Sequence, residues 1–122
     1  MFSINWLEAQ LKPEHKPEDV QRTLLAFTAQ SIADAVKTHA PNTKEIYLCG
    51  GGAYNTALFE CLQRLLSPAN IALSDELGIK VDAVEAAAFA WLARQTLLKA
   101  PGNLPAVTGA DGLRILGAIY AS

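Results

Sequence analysis

The sequence predicts an α/β protein with a short, mostly parallel β-sheet and helices packed on it. Helix-type and strand-type stretches alternate along the chain, in the order helix, strand, helix, strand, helix, strand. Such alternation favours parallel strands joined by right-handed helical crossovers. Hydrophobic residues make up 51% of the 122 residues and charged residues 18%, so the chain can bury a core and fits one domain. Three predicted strands make a small sheet, since about five are usual.

Two helices are predicted before the first strand. Residues 2–11 form a short one, with Phe2, Trp6 and Leu11 along one side. Pro17 suits the first position of a long helix over residues 17–39, and Pro41 follows its end. The apolar residues expected near one face of this long helix are Val20, Leu24, Phe27 or Thr28, Ile32 and Val36.

The centre of the chain is a strand, a glycine run and a helix. Residues 46–49 form a short apolar stretch that predicts a buried strand. Gly50, Gly51 and Gly52 end it, and their backbone can approach a ligand closely or adopt a positive φ. Asn55 is a good N-cap for a helix over residues 56–66. Loop amides and the positive helix end would both favour phosphate or polar ligand atoms.

This glycine pattern differs from the two best-known phosphate-binding motifs. Asn55 stands where a dinucleotide-binding fingerprint has its third glycine, and no Gly-Lys-Ser/Thr follows, as a Walker-type loop requires. The residues alone therefore leave two interpretations open, a nucleotide site or a tight strand-to-helix turn without a ligand.

The second half of the chain continues the alternation. Leu58, Cys61, Leu62 and Leu65 make the apolar face of helix 56–66. The next elements are a strand at 71–73, a polar loop at 74–78, a helix at 82–98, a loop at 101–105 and a strand at 113–120. The helix at 82–98 is apolar on nearly all sides, so we expect it to be largely buried, with Trp91 in the core.

Composition excludes several classes of function. The net charge is −2 and no basic tract is present, so nucleic acid is not an expected partner. The longest apolar stretch, residues 83–92, is too short to span a membrane, and the N-terminus lacks a signal-peptide pattern. Cys49 and Cys61 fit reduced, buried thiols in a cytoplasmic protein, although their number alone would also allow a disulfide. His15 and His39 have no second ligand nearby in the sequence, so no metal site is expected.

Three blocks of the sequence together resemble the C-terminal part of the anhydro-N-acetylmuramic acid kinase family. They are residues 46–55 (IYLCGGGAYN), residues 75–93 (DELGIKVDAVEAAAFAWLA), and residues 101–110 (PGNLPAVTGA) with 116–119 behind them. The start at residues 2–7 (FSINWL) is similar to the middle of that family's proteins. The resemblance covers essentially the whole chain.

The resemblance implies a ribonuclease-H-like half-domain of the sugar-kinase, actin and heat-shock-chaperone superfamily, which binds ATP with Mg²⁺ in a cleft. It implies an enzyme that opens the anhydro bridge of the sugar and phosphorylates its 6-oxygen in cell-wall recycling. Residues 1–122 would be one domain, the nucleotide-side portion of a longer two-domain kinase. Gly50, Gly51, Gly52 and Asn55 match the superfamily's adenosine-side loop. The catalytic aspartate and the phosphate-gripping hairpin have no counterpart here, so we assign no catalytic residue and expect no activity from the chain alone.

Three carboxylates have two interpretations each. Glu85 is a lone charge on an apolar helix stripe. Either it completes a capping box with Asp82 as N-cap, or, as the family motif suggests, it accepts hydrogen bonds from sugar hydroxyls in the cleft. Asp75 and Glu76 either line the cleft or are simply solvated, and solvation is favoured. Thr108 and Gly109 fit a turn.

Two rival functions belong to other classes. The chain could be an interaction module that self-associates through an open sheet edge or through the surface left by a missing domain. It could also be a small Rossmann-like binding protein. The glycine pattern argues against the latter, and Asn70 stands where an acidic ribose-binding residue would be needed.

Overall fold

A computed structural model of the chain describes residues 3–120. They fall into two compact units. The first unit comprises residues 3–47 and 52–72, and the second comprises residues 48–51 and 73–120. Phe2, which we placed on the first helix, lies outside the described residues. Among residues 3–120, no helix combines the length and the apolar character needed to cross a bilayer.

Helices and strands alternate as the sequence predicts. The α-helices are α1 (Ile4–Glu8), α2 (Pro17–His39), α3 (Thr56–Leu66), α4 (Val84–Leu97) and α5 (Pro105–Thr108). The strands are β1 (Glu45–Leu48) and β2 (Asn70–Leu73). Short 3₁₀ turns lie at Gly51–Tyr54, Ser74–Leu77 and Val81–Ala83.

The two strands pair in a short parallel sheet, with α3 connecting them along the chain. The N–H of Asn70, the first residue of β2, donates to the carbonyl of Lys44, the residue before β1, at 2.8 Å. This arrangement confirms the predicted α/β class and is consistent with a ribonuclease-H-like half-domain. Within residues 3–120 the sheet has two strands rather than the three predicted.

The core of the first unit lies between α2 and α3. Leu62 is 1% exposed and Cys61 and Leu66 are buried beside it, which largely confirms the predicted face of α3. On α2 the fully buried residues are Ala29 and Ala33. The larger residues that we expected there are less buried, because small side chains let two helices approach closely while bulky ones are left at the flanks.

The predicted last strand is wrong. Residues 113–120 form no strand, and Gly117 has φ +93°, which interrupts an extended run. The segment instead bonds to its neighbours in the second unit. The Gly102 N–H donates to the Arg114 carbonyl at 3.0 Å, and the Arg114 N–H donates to Oδ1 of Asn103 at 2.6 Å. A strand needs an adjacent strand to pair with, and apolar composition alone cannot supply it.

The expected burial of the fourth helix is also wrong. Of the 14 described residues of α4, none is buried, and Trp91, which we placed in the core, is 49% exposed. The best-buried side chain of this unit is Val81, in the 3₁₀ turn before α4. Residues 105–108, predicted as loop, form α5, whose first residue Pro105 suits a helix start.

Candidate nucleotide-binding site

Gly50 is the glycine that the backbone requires. It follows β1 with φ +76°, a left-handed conformation that costs other residues free energy. Its N–H donates to the carbonyl of Val81 at 3.2 Å, within the second unit. This amide is therefore already hydrogen-bonded, and the residue shapes the loop rather than offering a donor.

The backbone conformation of the turn does not require glycine at positions 51 and 52. They begin the 3₁₀ turn Gly51–Tyr54, and neither has a φ in the left-handed region. A Cβ built on either would have no atom of the described chain within 4 Å. The first N–H groups of a helical turn also lack partners within that turn. The absence of a side chain at both positions would let a ligand approach the backbone closely.

Asn55 caps α3 as predicted. Its backbone is extended (φ −80°, ψ 97°), and its Oδ1 accepts a hydrogen bond from the Leu58 N–H at 3.1 Å. The Asn55 N–H donates to the Gly52 carbonyl at 3.1 Å. A carboxamide has an amino group as well as an oxygen, so the cap leaves two N–H donors on the side chain for another partner.

A groove of about 570 Å³ opens beside Asn55 in the first unit, between α2 and the start of α3. Small-molecule sites have volumes in the range of about 300–1,000 Å³. Its floor is apolar and its polar groups come mostly from one face of α2. The lining residues are Glu18, Gln21, Arg22, Leu24, Leu25, Thr28, Asn55, Ala57 and Leu58.

Sequence reasoning missed the α2 side of this groove. In the sequence, Glu18 stands out only as an acidic residue suited to the positive first turn of the helix. The available signal was spacing, since Glu18, Gln21, Arg22 and Leu25 recur at three- and four-residue intervals and therefore share one face. The groove brings these side chains together with Asn55, the one site residue that both the sequence and the groove identify.

Glu85 lies in the first turn of α4 and is exposed. The predicted N-cap is wrong, because Asp82 lies inside the 3₁₀ turn Val81–Ala83 and the residue at the N-cap position is Ala83. Ala83 already has helical backbone angles (φ −95°, ψ −12°), so the chain enters α4 without the extended residue that a capping box needs. Glu85 retains its place at the positive end of the helix.

Asp75 has a structural role that the sequence did not suggest. Its Oδ2 accepts a hydrogen bond from the Val81 N–H at 3.0 Å, closing the loop ahead of α4. Glu76 is exposed, as expected for a solvated side chain. Thr108 is the last residue of α5 rather than part of an isolated turn; its hydroxyl donates to the Leu104 carbonyl, and Gly109 follows as the C-cap with φ +70°.

The cysteines and histidines add no further site. Cys49 and Cys61 are both free thiols, the first exposed and the second buried. Nδ1 of His15 accepts a hydrogen bond from the Lys12 N–H at 3.3 Å. In the part of the chain that the structure describes, no three His, Cys, Asp or Glu side chains are grouped so as to share a metal ion.

Comparison with known proteins decides the family. A family model described as anhydro-N-acetylmuramic acid kinase matches residues 1–122. The chain belongs to this family. The resemblance carried by the three sequence blocks is thereby confirmed, and the glycine run, Asn55 and Glu85 all lie within the matched residues.

Individual relatives of the family agree. The anhydro-N-acetylmuramic acid kinase of Nitrosomonas europaea is 56% identical over 120 residues, which are 98% of this chain and 33% of the relative. Those of Legionella pneumophila (strain Paris) and Coxiella burnetii are 50% and 47% identical, again over 98% of this chain and 32% of the relative. The chain thus spans about a third of the length of the curated relatives that it matches.

Proposed function

We propose that this chain is the C-terminal, nucleotide-side portion of an ATP-dependent anhydro-N-acetylmuramic acid kinase. In this proposal the complete cytoplasmic enzyme uses ATP with Mg²⁺ and water to open the anhydro bridge and phosphorylate the 6-oxygen of the sugar, in recycling of the bacterial cell wall. The observation that carries the proposal is the family match over residues 1–122 at 47–56% identity to named relatives.

The glycine run and the groove support a nucleotide-binding role. Gly50 holds the turn, while Gly51 and Gly52 begin a 3₁₀ turn and have open space where a side chain would lie. The amides of such a turn favour the negative charge of phosphate oxygens. Asn55 closes this motif and also lines the groove of the first unit, so we assign that groove to the base and ribose.

The groove has the groups that a nucleoside needs. The planar guanidinium of Arg22 can stack on a purine ring. The Glu18 carboxylate can accept hydrogen bonds from ribose hydroxyls, and the amides of Gln21 and Asn55 can both donate and accept. Leu24 and Leu25 supply apolar contact beneath them. Opposite charges on Glu18 and Arg22 leave the groove nearly neutral, which suits the base end of a nucleotide rather than its phosphates.

Glu85 is proposed as a sugar contact. An exposed carboxylate can accept hydrogen bonds from hydroxyl groups, and the charge makes those bonds stronger than neutral ones. The position of Asp82 inside the 3₁₀ turn, rather than at the N-cap of α4, supports this choice over the capping box.

The chain supplies binding groups but no complete catalytic centre. Phosphoryl transfer needs a group that activates or positions the nucleophile, metal ligands and a grip on the phosphates. Residues 3–120 show none of these assembled around the proposed contacts. We therefore propose that catalysis requires the rest of the family's fold, and that the chain alone does not turn over ATP with the anhydro sugar.

The test is a titration of the chain with ATP and Mg²⁺, followed by the NMR shifts of backbone amides. We expect saturable shifts at Gly51, Gly52 and Asn55. Arg22→Ala should weaken binding about two- to fivefold, the equivalent of ~0.5–1 kcal/mol for an exposed cation on an aromatic ring. Arg94→Ala is the matched control, because it removes the same charge from an exposed position on α4.

A second pair of variants separates the nucleotide from the sugar. Gly51→Val should abolish the shifts without unfolding the chain, since its Cβ would enter open space. Glu85→Gln should leave the nucleotide titration unchanged. The proposal fails if ATP causes no saturable shifts, if Arg94→Ala weakens binding as much as Arg22→Ala, or if the chain alone turns over ATP within tenfold of a complete family enzyme.

A further inference from the structure

The proposed nucleotide groove does not account for the exposed surface of α4. The helix reads VEAAAFAWLARQTL, with few polar side chains, yet none of its described residues is buried. Phe89 is 71% exposed and Leu97 is 72% exposed. Contiguous exposed apolar surface on a monomer usually marks an interaction site.

The segment after α5 extends this surface. The hydroxyl of Thr96 donates to the carbonyls of both Leu92 and Leu116, which fastens the segment along the helix. Gly102 lies close to Leu92: a Cβ added to Gly102 would be 3.1 Å from the Cδ2 atom of Leu92. Helix and segment together form a groove of about 500 Å³, which we call the α4 surface. It is defined by Phe89, Leu92, Thr96, Leu97, Leu116 and Ile119.

The chemistry of the α4 surface fits a protein rather than a small polar ligand. Of the six side chains that define it, five are apolar, and the Thr96 hydroxyl is engaged with main-chain carbonyls. Small-molecule sites need a few convergent polar groups to fix orientation. Surfaces this apolar are typical of obligate interfaces, which resemble a domain core cut in half.

We propose that the α4 surface is covered by the part of the family's fold that this chain does not contain. The inference rests on the proposed function, because it takes the chain to be a portion of the complete kinase. The chain matches about a third of each relative's length, and its described sheet has two strands where about five are usual. Both observations point to the same missing partner.

Charge argues against a second copy of the chain as the occupant. Glu85, Phe89 and Leu92 lie on one stripe of α4, at successive intervals of four and three residues. Arg94 is nine residues from Glu85, which at 100° per residue places it on the opposite side of the helix. Two copies paired through this stripe would therefore bury Glu85 with no cation from α4, and an unpaired buried charge is costly.

The experiment is co-expression of this chain with the Nitrosomonas europaea relative from which the matching 120 residues have been removed. We expect the two polypeptides to co-purify as a 1:1 complex, measured by light scattering after gel filtration. Phe89→Glu should weaken the complex at least tenfold. Ile4→Glu is the matched control, since Ile4 is also exposed (66%) but lies on α1 in the first unit, and it should change the affinity less than twofold.

Three results would overturn the proposal. They are the absence of a 1:1 complex on co-expression, an equal loss with Ile4→Glu, and a homodimer that Phe89→Glu disrupts and the partner polypeptide does not displace. Circular dichroism checks that each variant keeps its helices, and Leu97→Glu repeats the test at a second position. The readout is binding alone, so a chain that binds the partner but not ATP would refute the proposed function and leave this inference standing.

Discussion

Helices α3 and α4 are both rich in apolar residues, yet α3 has a buried face and α4 does not. In α3, Cys61, Leu62 and Leu66 are buried against the first unit. In α4, which is three residues longer, no described residue is buried. The difference lies in the partner, because α3 packs against α2 within its own unit, whereas the α4 surface has no helix of the described second unit of comparable length to pack against.

The contrast shows what an apolar pattern can and cannot predict. Polar residues such as Glu60, Gln63 and Arg64 confine the apolar residues of α3 to one stripe, so its buried face can be identified from the sequence. α4 is apolar on most of its circumference, which predicts that it is buried but does not indicate which element packs against it. Under the proposal above, the pattern of α4 would reflect packing against parts of the family's fold outside this chain, which spans about a third of its relatives' length.

The largest expected effect separates the two helices directly. Leu62→Ala should lower the free energy of unfolding by about 2–5 kcal/mol, because Leu62 is 1% exposed and its removal leaves a cavity. Leu97→Ala should change it by less than about 0.5 kcal/mol, since the side chain is already in solvent. Urea denaturation of both variants gives the comparison. Equal losses would mean that α4 is buried in solution.

The second effect concerns the glycine run, where one residue is required by the backbone and its neighbour is not. Gly50→Ala should cost about 1–2 kcal/mol, because alanine disfavours φ +76°. Gly51→Ala should leave stability unchanged or raise it by up to about 1 kcal/mol, by reducing the freedom of the unfolded chain. Thermal unfolding followed by circular dichroism measures both. A costly Gly51→Ala would show that the turn, and not a ligand, requires that glycine.

The smallest effect compares the starts of the two helices. Asn55→Ala should cost about 1 kcal/mol, because it removes the oxygen that accepts from the Leu58 N–H. Ala83→Asn at the start of α4 should gain less than about 0.5 kcal/mol. The backbone of Ala83 is helical rather than extended, so an asparagine there cannot reach the cap geometry. A gain of 1 kcal/mol or more at Ala83 would contradict the 3₁₀ entry into α4.

Local signals made much of the first unit predictable. α2 and α3 begin and end where the sequence predicts, because Pro17 and Asn55 set their first residues through short-range geometry. Strand β1 lies one residue from its predicted position. The N-cap role of Asn55 and the turn at Gly50 depend on backbone conformation within a few residues, and both could be inferred without the fold.

Apart from the misplaced N-cap at Asp82, the main errors depended on distant residues. A strand at 113–120 would need a neighbour to pair with, and the segment instead bonds to Gly102, Asn103 and Thr96. The groove escaped prediction because it forms only when α2 packs beside the start of α3. Spacing placed Glu18 and Arg22 on one face, but only the packing of the two helices shows that this face borders Asn55.

Val81 connects the loop at Gly50 with the start of α4 in the second unit. Its carbonyl accepts a hydrogen bond from the Gly50 N–H, its own N–H donates to the Asp75 carboxylate, and its side chain is almost fully buried. Three residues later α4 begins, with Glu85 in its first turn. A displacement at Gly50 must therefore either break the 3.2 Å bond to Val81 or move the base of α4 with it. If ligands bind at the Gly50 loop and at Glu85 as proposed, any coupling between them through Val81 would be reciprocal, each ligand changing the affinity of the other by the same factor.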